Sequence, residues 1–590
     1  MAGRWVWRGD GETIPAAFSG AVADLGLPHA AVVARLLWNR GVRNGDAAAA
    51  FLRPTLAHGL RSPFLLKDMG RAATRLADAL AAGERIAVYG DYDVDGMTGA
   101  ALLFLCLREL GADPVLHVAH RAREGYGLNA DVLRRLRAEG ARVVVTADCG
   151  TANERELAEA SALGLDVIVC DHHHAPTTRP PALALLNPLQ PGCEFPFKGL
   201  SGAGVAFYLL MGLRAELRAR GREPLPDLRR YLDLVALGTV ADVVPLREEN
   251  RVLVAHGLRV LDRSPRPGVA ALKELAMVEA MSVRAIGFRL APRLNAGGRL
   301  ADARLAVDVL TAEGLERART LAASLEVHNV ERRAIEETML RQAIAAAKEA
   351  HEHARATTVV AGDGWHPGVV GIVAARLAER FHRPALVIAL DGGLGRGSGR
   401  SVRSVDLHGS VARCADLLET FGGHRQAVGF TIRRERIPVL AARFDAAVAT
   451  STVAADREPI VEIDAEAPCG LAPPGFAEAL RALEPHGAGN PEPTFLACSV
   501  DVEAVRVVGE PERPHLRVRL RQAGRTLPAI GFGMGALPVR PGQRVDVVFT
   551  PRRERWQGAE RLELEILSLR GSPAADDAQG PEIVQKSFVS

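Results

Sequence analysis

Residues 85–96 read Arg-Ile-Ala-Val-Tyr-Gly-Asp-Tyr-Asp-Val-Asp-Gly, a short apolar run that passes without a break into three aspartates. The run has the length and the β-branched and aromatic content of a strand. Asp91, Asp93 and Asp95 fall at alternate positions, and in extended backbone side chains at i, i+2 and i+4 point to one side. Three carboxylates converging on one point repel one another at neutral pH unless cations gather there. Taken alone, the motif also allows an acidic surface turn, as the lesser alternative.

Working outward, similar apolar runs lie at 114–119 (PVLHVA), 142–148 (RVVVTAD) and 165–171 (LDVIVCD), with helical patterns between them. That alternation predicts a parallel sheet covered on both faces, with functional groups at the carboxyl ends of its strands. One run ends on Asp148, with Gly150 close behind; the next ends on Asp171, followed by His172, His173 and His174. Asp242 follows an apolar helical stretch and precedes Val-Val-Pro. A single aspartate at a strand end commonly serves as a helix N-cap, and Asp242 alone is a weak signal. Together, carboxylates and imidazoles from four strand or loop ends suit Mn²⁺ or Mg²⁺ better than thiolate-seeking metals. Two such divalent ions about 3.5–4 Å apart activate a water and stabilise the displaced oxygen of a phosphoester.

The chain has 590 residues, enough for three or four domains. Its 48% hydrophobic and 24% charged content is ordinary for a soluble globular protein. A net charge of +3 makes no case for nucleic acid over the whole chain, so any basic surface must be local. Seven cysteines without a CxxC spacing argue against a disulfide framework and a zinc site. The amino-terminal segment lacks the apolar core of a signal peptide, and no apolar run reaches about 18 residues. A cytoplasmic protein with no membrane partner is expected.

Residues 1–80 read as a mostly helical lead-in and 81–310 as the first α/β domain. Between Glu313 and Ala354 there is one glycine and no proline, which predicts a long helix over 311–355 bridging two lobes. A second α/β unit is expected over 356–455, and a linker with a small β-barrel over 456–570. Residues 571–590 have the composition of a disordered tail. The fold class is therefore α/β: a parallel-sheet domain and a second α/β domain joined by a long helix, plus a C-terminal barrel.

The second unit carries three glycine-rich segments, at 362–377, 395–401 and 422–430, each with Arg or His beside the glycines. Glycine-rich turns let backbone N–H groups approach phosphate oxygens, although ordinary loops look the same. In the barrel, Leu516, Val518 and Leu520 alternate with Arg517, Arg519 and Arg521. From Val505 to Trp556 there are eleven Arg, no Lys and four acidic residues, a net +7. A basic face on a small barrel suits a nucleic-acid backbone; a solvated arginine face is the alternative.

VYGDYDVDG (88–96), TADCGT (146–151), VCDHHHAP (169–176) and GTVADVVPL (238–246) resemble, in order, motifs I to IV of the DHH phosphoesterases. By that resemblance Asp93 and Asp148 hold one metal ion. Asp95, Asp148, His172 and Asp242 hold the second, with Asp148 bridging. Asp91 supports the site or positions water, and His173 lies near the scissile phosphate; His174 is given no role. Related pyrophosphatases carry a histidine where Tyr89 stands, which favours a nuclease-like site.

The glycine-rich unit resembles a DHHA1 domain, in which Gly422, Gly423 and His424 touch the substrate. HRAREGYGLN (120–129), LNAGGRL (294–300) and LEPHGAGNPEPTF (483–495) resemble segments of the RecJ family, the last leading into an OB-fold. This resemblance makes Arg121, Arg299, Ser398 and Arg400 candidates to hold DNA phosphates, including a 5′-terminal one. Each arginine is equally well placed for a surface ion pair. It also implies a 5′→3′ exonuclease of single-stranded DNA releasing 5′-mononucleotides in repair and recombination. A monomer is expected, with a single-strand-binding protein and a helicase as partners. Two rivals are a DHH phosphodiesterase of cyclic dinucleotides or very short RNAs, and a silent DNA-binding scaffold. The basic barrel argues against the first and the intact ligand set against the second.

Overall fold

The computed structural model describes residues 3–9, 12–263, 266–351, 355–403, 405–452, 458–466, 475–511, 514–556 and 559–572. From residue 573 on, the expected tail lies outside them. Strand β1 (Arg4–Trp7) opens the chain, and several helices separate it from the first sheet. That sheet comprises β2 (Arg85–Gly90), β3 (Val115–Val118), β4 (Ala141–Ala147), β5 (Asp166–Cys170) and β6 (Ala184–Leu186), in the order β3-β2-β4-β5-β6. All its pairings are parallel. Because side chains alternate across a strand, Ile86 and Val88 pack with the helices Val94–Glu109, Gly202–Ala219 and Leu232–Ala241. Ala87 and Tyr89 face the opposite layer, the helices Ala130–Ala138 and Glu154–Ala162. β6, only three residues long, has too little sequence to show the strand pattern by itself.

The second sheet is mixed: β7 (Thr358–Asp363), β8 (Ala385–Asp391), β9 (Leu394–Arg400), β10 (Leu418–His424) and β11 (Ala427–Arg433), in the order β10-β11-β9-β8-β7. Only β7 and β8 run parallel. The glycine-rich segment 395–401 is therefore mostly strand rather than a phosphate-cradling turn. Gly395, Gly397 and Gly399 are buried on one face, and a Cβ on Gly397 would lie 2.2 Å from the Phe430 ring of the neighbouring strand. Glycine is needed there to seat an aromatic ring, while Ser398 and Arg400 point to the other face.

One helix, Leu315–His351, runs for 37 residues, about 55 Å at the usual rise per residue. Ala318, Ala322 and Leu325 in its first half belong to the core of the first domain. Met339, Ala343 and Ala347 in its second half belong to that of the second. A single rigid rod thus sets the distance between the two lobes.

The last domain contains β12 (Ile460–Ile463), β13 (Ala465–Glu466), β14 (Phe495–Val508), β15 (His515–Gln522), β16 (Arg525–Gly531), β17 (Arg544–Trp556) and β18 (Ala559–Gly571). The sheet order β13-β14-β15-β16-β18-β17, with β14 also pairing β17, closes a barrel. β1 pairs with β12 in parallel, and Phe18, Val22, Leu36 and Leu37 join the barrel core. The N-terminal helices therefore cover the C-terminal barrel. Arg251, fully buried, donates to the carbonyls of Phe51, Ala482, Leu483, Pro485 and Glu484, tying the first domain to the segment entering the barrel. Among the described residues no helix is long and apolar enough to cross a membrane.

Candidate metal centre and anion pocket

The three aspartates after β2 do not share one extended run of backbone: Asp93 is extended, but Asp95 is already helical. The strand stops at Gly90, Asp93 caps the helix Val94–Glu109 by accepting from the Gly96 N–H at 3.0 Å, and Asp95 lies in its first turn. The turn is tight because Gly96 packs on Asp91, where a Cβ would sit 2.7 Å from the Asp91 Cβ. Convergence of the carboxylates is reached through a strand-to-helix corner, not through strand alternation.

β4 delivers Asp148 with φ of +66°, a left-handed conformation that aspartate tolerates better than most residues. The start of the helix Gly202–Ala219 presses on it, since a Cβ on Gly202 would lie 2.6 Å from the Asp148 Cβ. The same helix start donates two backbone N–H groups to Asp95, from Gly202 at 2.6 Å and Ala203 at 3.0 Å. Asp242 is the C-cap of Leu232–Ala241.

His172 Nε2 lies 3.1 Å from Asp148 Oδ1, 3.4 Å from Asp242 Oδ2 and 3.9 Å from Asp95 Oδ2. Burial and the neighbouring His173 push its pKa down to about 4, so the ring is neutral and its contacts are not ion pairs. Burial and neighbouring carboxylates push the acids the other way: Asp95 to about 7, Asp242 to about 9, and Asp91 and Asp148 well above the usual range. Asp91 Oδ1, Asp148 Oδ1 and His172 Nε2 are buried without a hydrogen-bond partner. Buried polar atoms are normally satisfied. Unsatisfied oxygens beside an unprotonated imidazole nitrogen are a donor set for a cation. Two groupings with ligand atoms within 4.8 Å of each other are Asp91, Asp93 and Asp148, and Asp95, His172 and Asp242.

Asp171 is occupied differently. Its carboxylate accepts from the backbone N–H groups of Thr151, His172 and His173 and from His173 Nδ1 at 2.7 Å. Burial alone would raise its pKa, but the His173 hydrogen bond and charge hold it low. In return His173, which burial would deprotonate, is held up to about 9 by Asp171. The site thus pairs a neutral imidazole with an adjacent imidazolium. The Tyr126 hydroxyl lies 2.9 Å from His173 Nδ1 and donates to the Asp148 carbonyl at 3.3 Å. His174 is exposed.

Beside this centre the two lobes contribute a cluster of guanidiniums. Arg121 sits over the Tyr92 ring at 5.2 Å. Arg299 donates to the Gly368 carbonyl at 3.1 Å, and Arg400 to Ser398 Oγ at 3.2 Å. Burial, then Arg121 and Arg400, lowers Arg299 to about 10, and burial and Arg121 lower Arg400. None of the three forms an ion pair among the described residues. A Cβ on Gly371, in the first turn of the helix Val370–Phe381, would lie 3.2 Å from Ser398 Oγ and 3.4 Å from Arg400 Nη2. Mutually repelling cations at a helix N-terminus have the chemistry that suits an anion. Gly422, Gly423 and His424 end β10 and are exposed; burial, Arg400 and His173 lower the pKa of His424.

On the barrel, β15 alternates as expected, with Leu516, Val518 and Leu520 buried. Its arginines are not a free basic face. Arg517 meets Glu563 at 3.1 Å, Arg519 meets Glu503 at 3.9 Å, and Arg521 meets Glu503 at 3.5 Å and Asp501 at 3.6 Å. Those acids come from β14 and β18, outside the arginine-rich segment, so local charge counting missed them. Sequence reasoning also missed Gly202 and Ala203; the Ser-Gly-Ala-Gly run at 201–204, an N-cap before small residues, was the available signal.

The fold and site place the chain among the DHH–DHHA1 proteins: a model of the DHH family N-terminal domain matches residues 85–239, and one of the DHHA1 domain residues 354–450. A model of the RecJ OB domain matches residues 463–568. The single-stranded-DNA-specific exonuclease RecJ of Bacillus subtilis (strain 168) is 37% identical over 547 residues, 91% of this chain and 67% of that protein. Its namesake in Dickeya dadantii is 37% identical over 92% of this chain and 97% of that protein. The crystal structure of RecJ from Thermus thermophilus in complex with Mn²⁺ superposes with a TM-score of 0.82 at 32% identity, covering 97% of this chain and 80% of that one. The chain belongs to the RecJ family.

Proposed function

We propose that the protein is a metal-dependent exonuclease that degrades single-stranded DNA from the 5′ end to 5′-mononucleotides, in DNA repair and recombination. The observation that carries this reading is the pair of buried, unsatisfied atoms Asp148 Oδ1 and His172 Nε2, with the equally unsatisfied Asp91 Oδ1 behind them, beside carboxyls that repel one another in the absence of a cation. Mn²⁺ or Mg²⁺ fits that set. Asp93 and Asp148 would hold one ion; Asp95, Asp148, His172 and Asp242 would hold the other. When bound, the two ions supply an activated water and charge neutralisation at a phosphodiester.

The chain's own residues do the rest. Asp148 is shared, so both halves of the centre are set by one side chain. Asp91 backs the site from the strand end. His173, kept protonated by Asp171, presents positive charge to the scissile phosphate and has a proton to give the leaving oxygen. The pocket of Arg121, Arg299, Ser398 and Arg400 takes a terminal phosphate, which orients the strand 5′ end first. Gly422, Gly423 and His424 line the opposite wall. Arg517, Arg519 and Arg521 exchange their carboxylate partners for phosphates further along the strand.

The expected setting is a monomer in the cytoplasm, working with a single-strand-binding protein and a helicase. The test is incubation with end-labelled single and double strands in Mn²⁺, Mg²⁺ and chelator. Mononucleotide release from the 5′ end of single strands, abolished by chelator, is expected. Release from the 3′ end, or cleavage in chelator, would refute the assignment.

A further inference from the structure

The loop His120–Gly127 joins the two parts of the site, because it carries Arg121 of the anion pocket at one end and Tyr126, in contact with His173, at the other. Both ends of that loop are tied to a cross-strand pair beneath it. Tyr89 on β2 and His117 on β3 are partners in the parallel register, with ring centroids 4.8 Å apart. The Tyr89 hydroxyl donates to the Gly127 carbonyl at 3.1 Å. Arg135 donates to His117 Nδ1 at 2.9 Å, which leaves the proton on Nε2 to be donated to Glu124 Oε2 at 3.0 Å. The same Glu124 oxygen accepts from the His120 N–H at 3.2 Å, and the Glu124 N–H donates to the His120 carbonyl at 2.8 Å. Glu124 thereby closes the turn on which Arg121 stands. Tyr89, fully buried, and His117, mostly buried, leave the pair little room to shift.

We infer that Tyr89, His117 and Glu124 form a pedestal that positions the 120–127 loop, and through Arg121 sets the preference for a phosphorylated 5′ end. These are positioning residues, and none is placed to touch a metal or the scissile phosphate. The inference rests on the proposed role of Arg121 in holding the terminal phosphate. Its chemistry is ordinary: two neutral hydrogen bonds and one carboxylate hold a loop whose own sequence, with Gly125 and Gly127 at positive φ, does not favour one conformation. Tyr89 also gains a use, as a loop anchor at the position where related pyrophosphatases carry a histidine.

The test is steady-state kinetics in Mn²⁺ on single strands ending in a 5′-phosphate or a 5′-hydroxyl, with thermal melting and Mn²⁺ titration calorimetry alongside. Glu124→Ala and Tyr89→Phe are expected to raise KM for phosphorylated strands roughly tenfold while kcat stays within about twofold, as a misplaced positioning group does. Hydroxyl-ended strands and Mn²⁺ affinity should be unchanged. Glu124→Gln, which keeps both accepting contacts, should restore the phosphate preference. Equal loss of kcat on both kinds of end would mean a merely structural defect and overturn the inference, as would an undiminished preference. Should Glu124→Ala fail to fold, Tyr89→Phe, which removes one hydroxyl, decides the matter. Arg121→Ala separates the two levels. If it abolishes the preference while the pedestal variants do not, positioning fails and the phosphate pocket stands. If it leaves the preference intact, both fail.

Discussion

His172 Nε2 and Asp148 Oδ1 lie 3.1 Å apart, buried, without a hydrogen bond between them or to any other group. They come from the ends of adjacent strands, β5 and β4, and each leaves a lone pair facing the same small volume. Folding brings this about at a cost in desolvation and repulsion, which a cation offsets.

Asp148→Ala should remove cleavage while sparing strand binding. The side chain serves both halves of the centre, so turnover is expected to fall on the order of a thousandfold or more. Affinity for single strands, measured by fluorescence anisotropy in chelator, should stay within about threefold, because arginines elsewhere supply it. Substantial Mn²⁺-dependent turnover in this variant would displace the assigned ligand set.

Metal and pH should act together on stability. Burial and nearby carboxylates raise Asp95 to about 7 and Asp242 to about 9. A carboxyl with a raised pKa binds its proton more tightly folded than unfolded, so its favourable contribution is present at low pH and is lost as pH rises through those values. The melting temperature gained by replacing chelator with Mn²⁺ should therefore grow between about pH 6 and about pH 9. A gain that shrank over this range in scanning calorimetry would contradict the protonation states described above.

Gly202→Ala tests the helix start beneath the centre. Its Cβ would meet that of Asp148 at 2.6 Å and disturb the N–H groups that hold Asp95. Mn²⁺ affinity should drop roughly ten- to a hundredfold, the usual scale for a lost ligand support, with the circular dichroism spectrum retained. Calorimetric titration reads it directly, and unchanged affinity would show that the helix start yields freely.

The barrel arginines are half-exposed but paired, so their contribution to binding is smaller than their number suggests. Changing Arg517, Arg519 and Arg521 together to serine should reduce the slope of log affinity against log salt by about 2 or less, given about 0.7 per phosphate contact on a single strand. An unaltered slope would leave these residues as partners of Asp501, Glu503 and Glu563 alone.

Much of the first domain was legible locally. Four apolar runs of strand length were legible, and the structure has strands β2 to β5 there, with an aspartate following β2, β4 and β5 at the carboxyl end. The long helix and the barrel were legible for the same reason, since period and turn chemistry are properties of neighbouring residues. Three features were not. The corner at Gly90–Val94 replaced the expected strand alternation because Gly96 permits the helix to start against Asp91. The glycines of β9 make room for Phe430 rather than for phosphate, a fact set by a strand more than thirty residues away. And β1 pairs with β12 across more than four hundred and fifty residues.

Which residue types would meet, and at which strand ends, was determined by the sequence alone: hydrophobic period sets the strands, and a side chain's chemistry travels with it. Tertiary structure decided the charge state and the company of each group. Whether Asp148 repels, His173 keeps its proton or Arg517 is neutralised depends on burial and on neighbours remote in the chain, and electrostatic energy is a function of distance in space, which the order of residues does not contain.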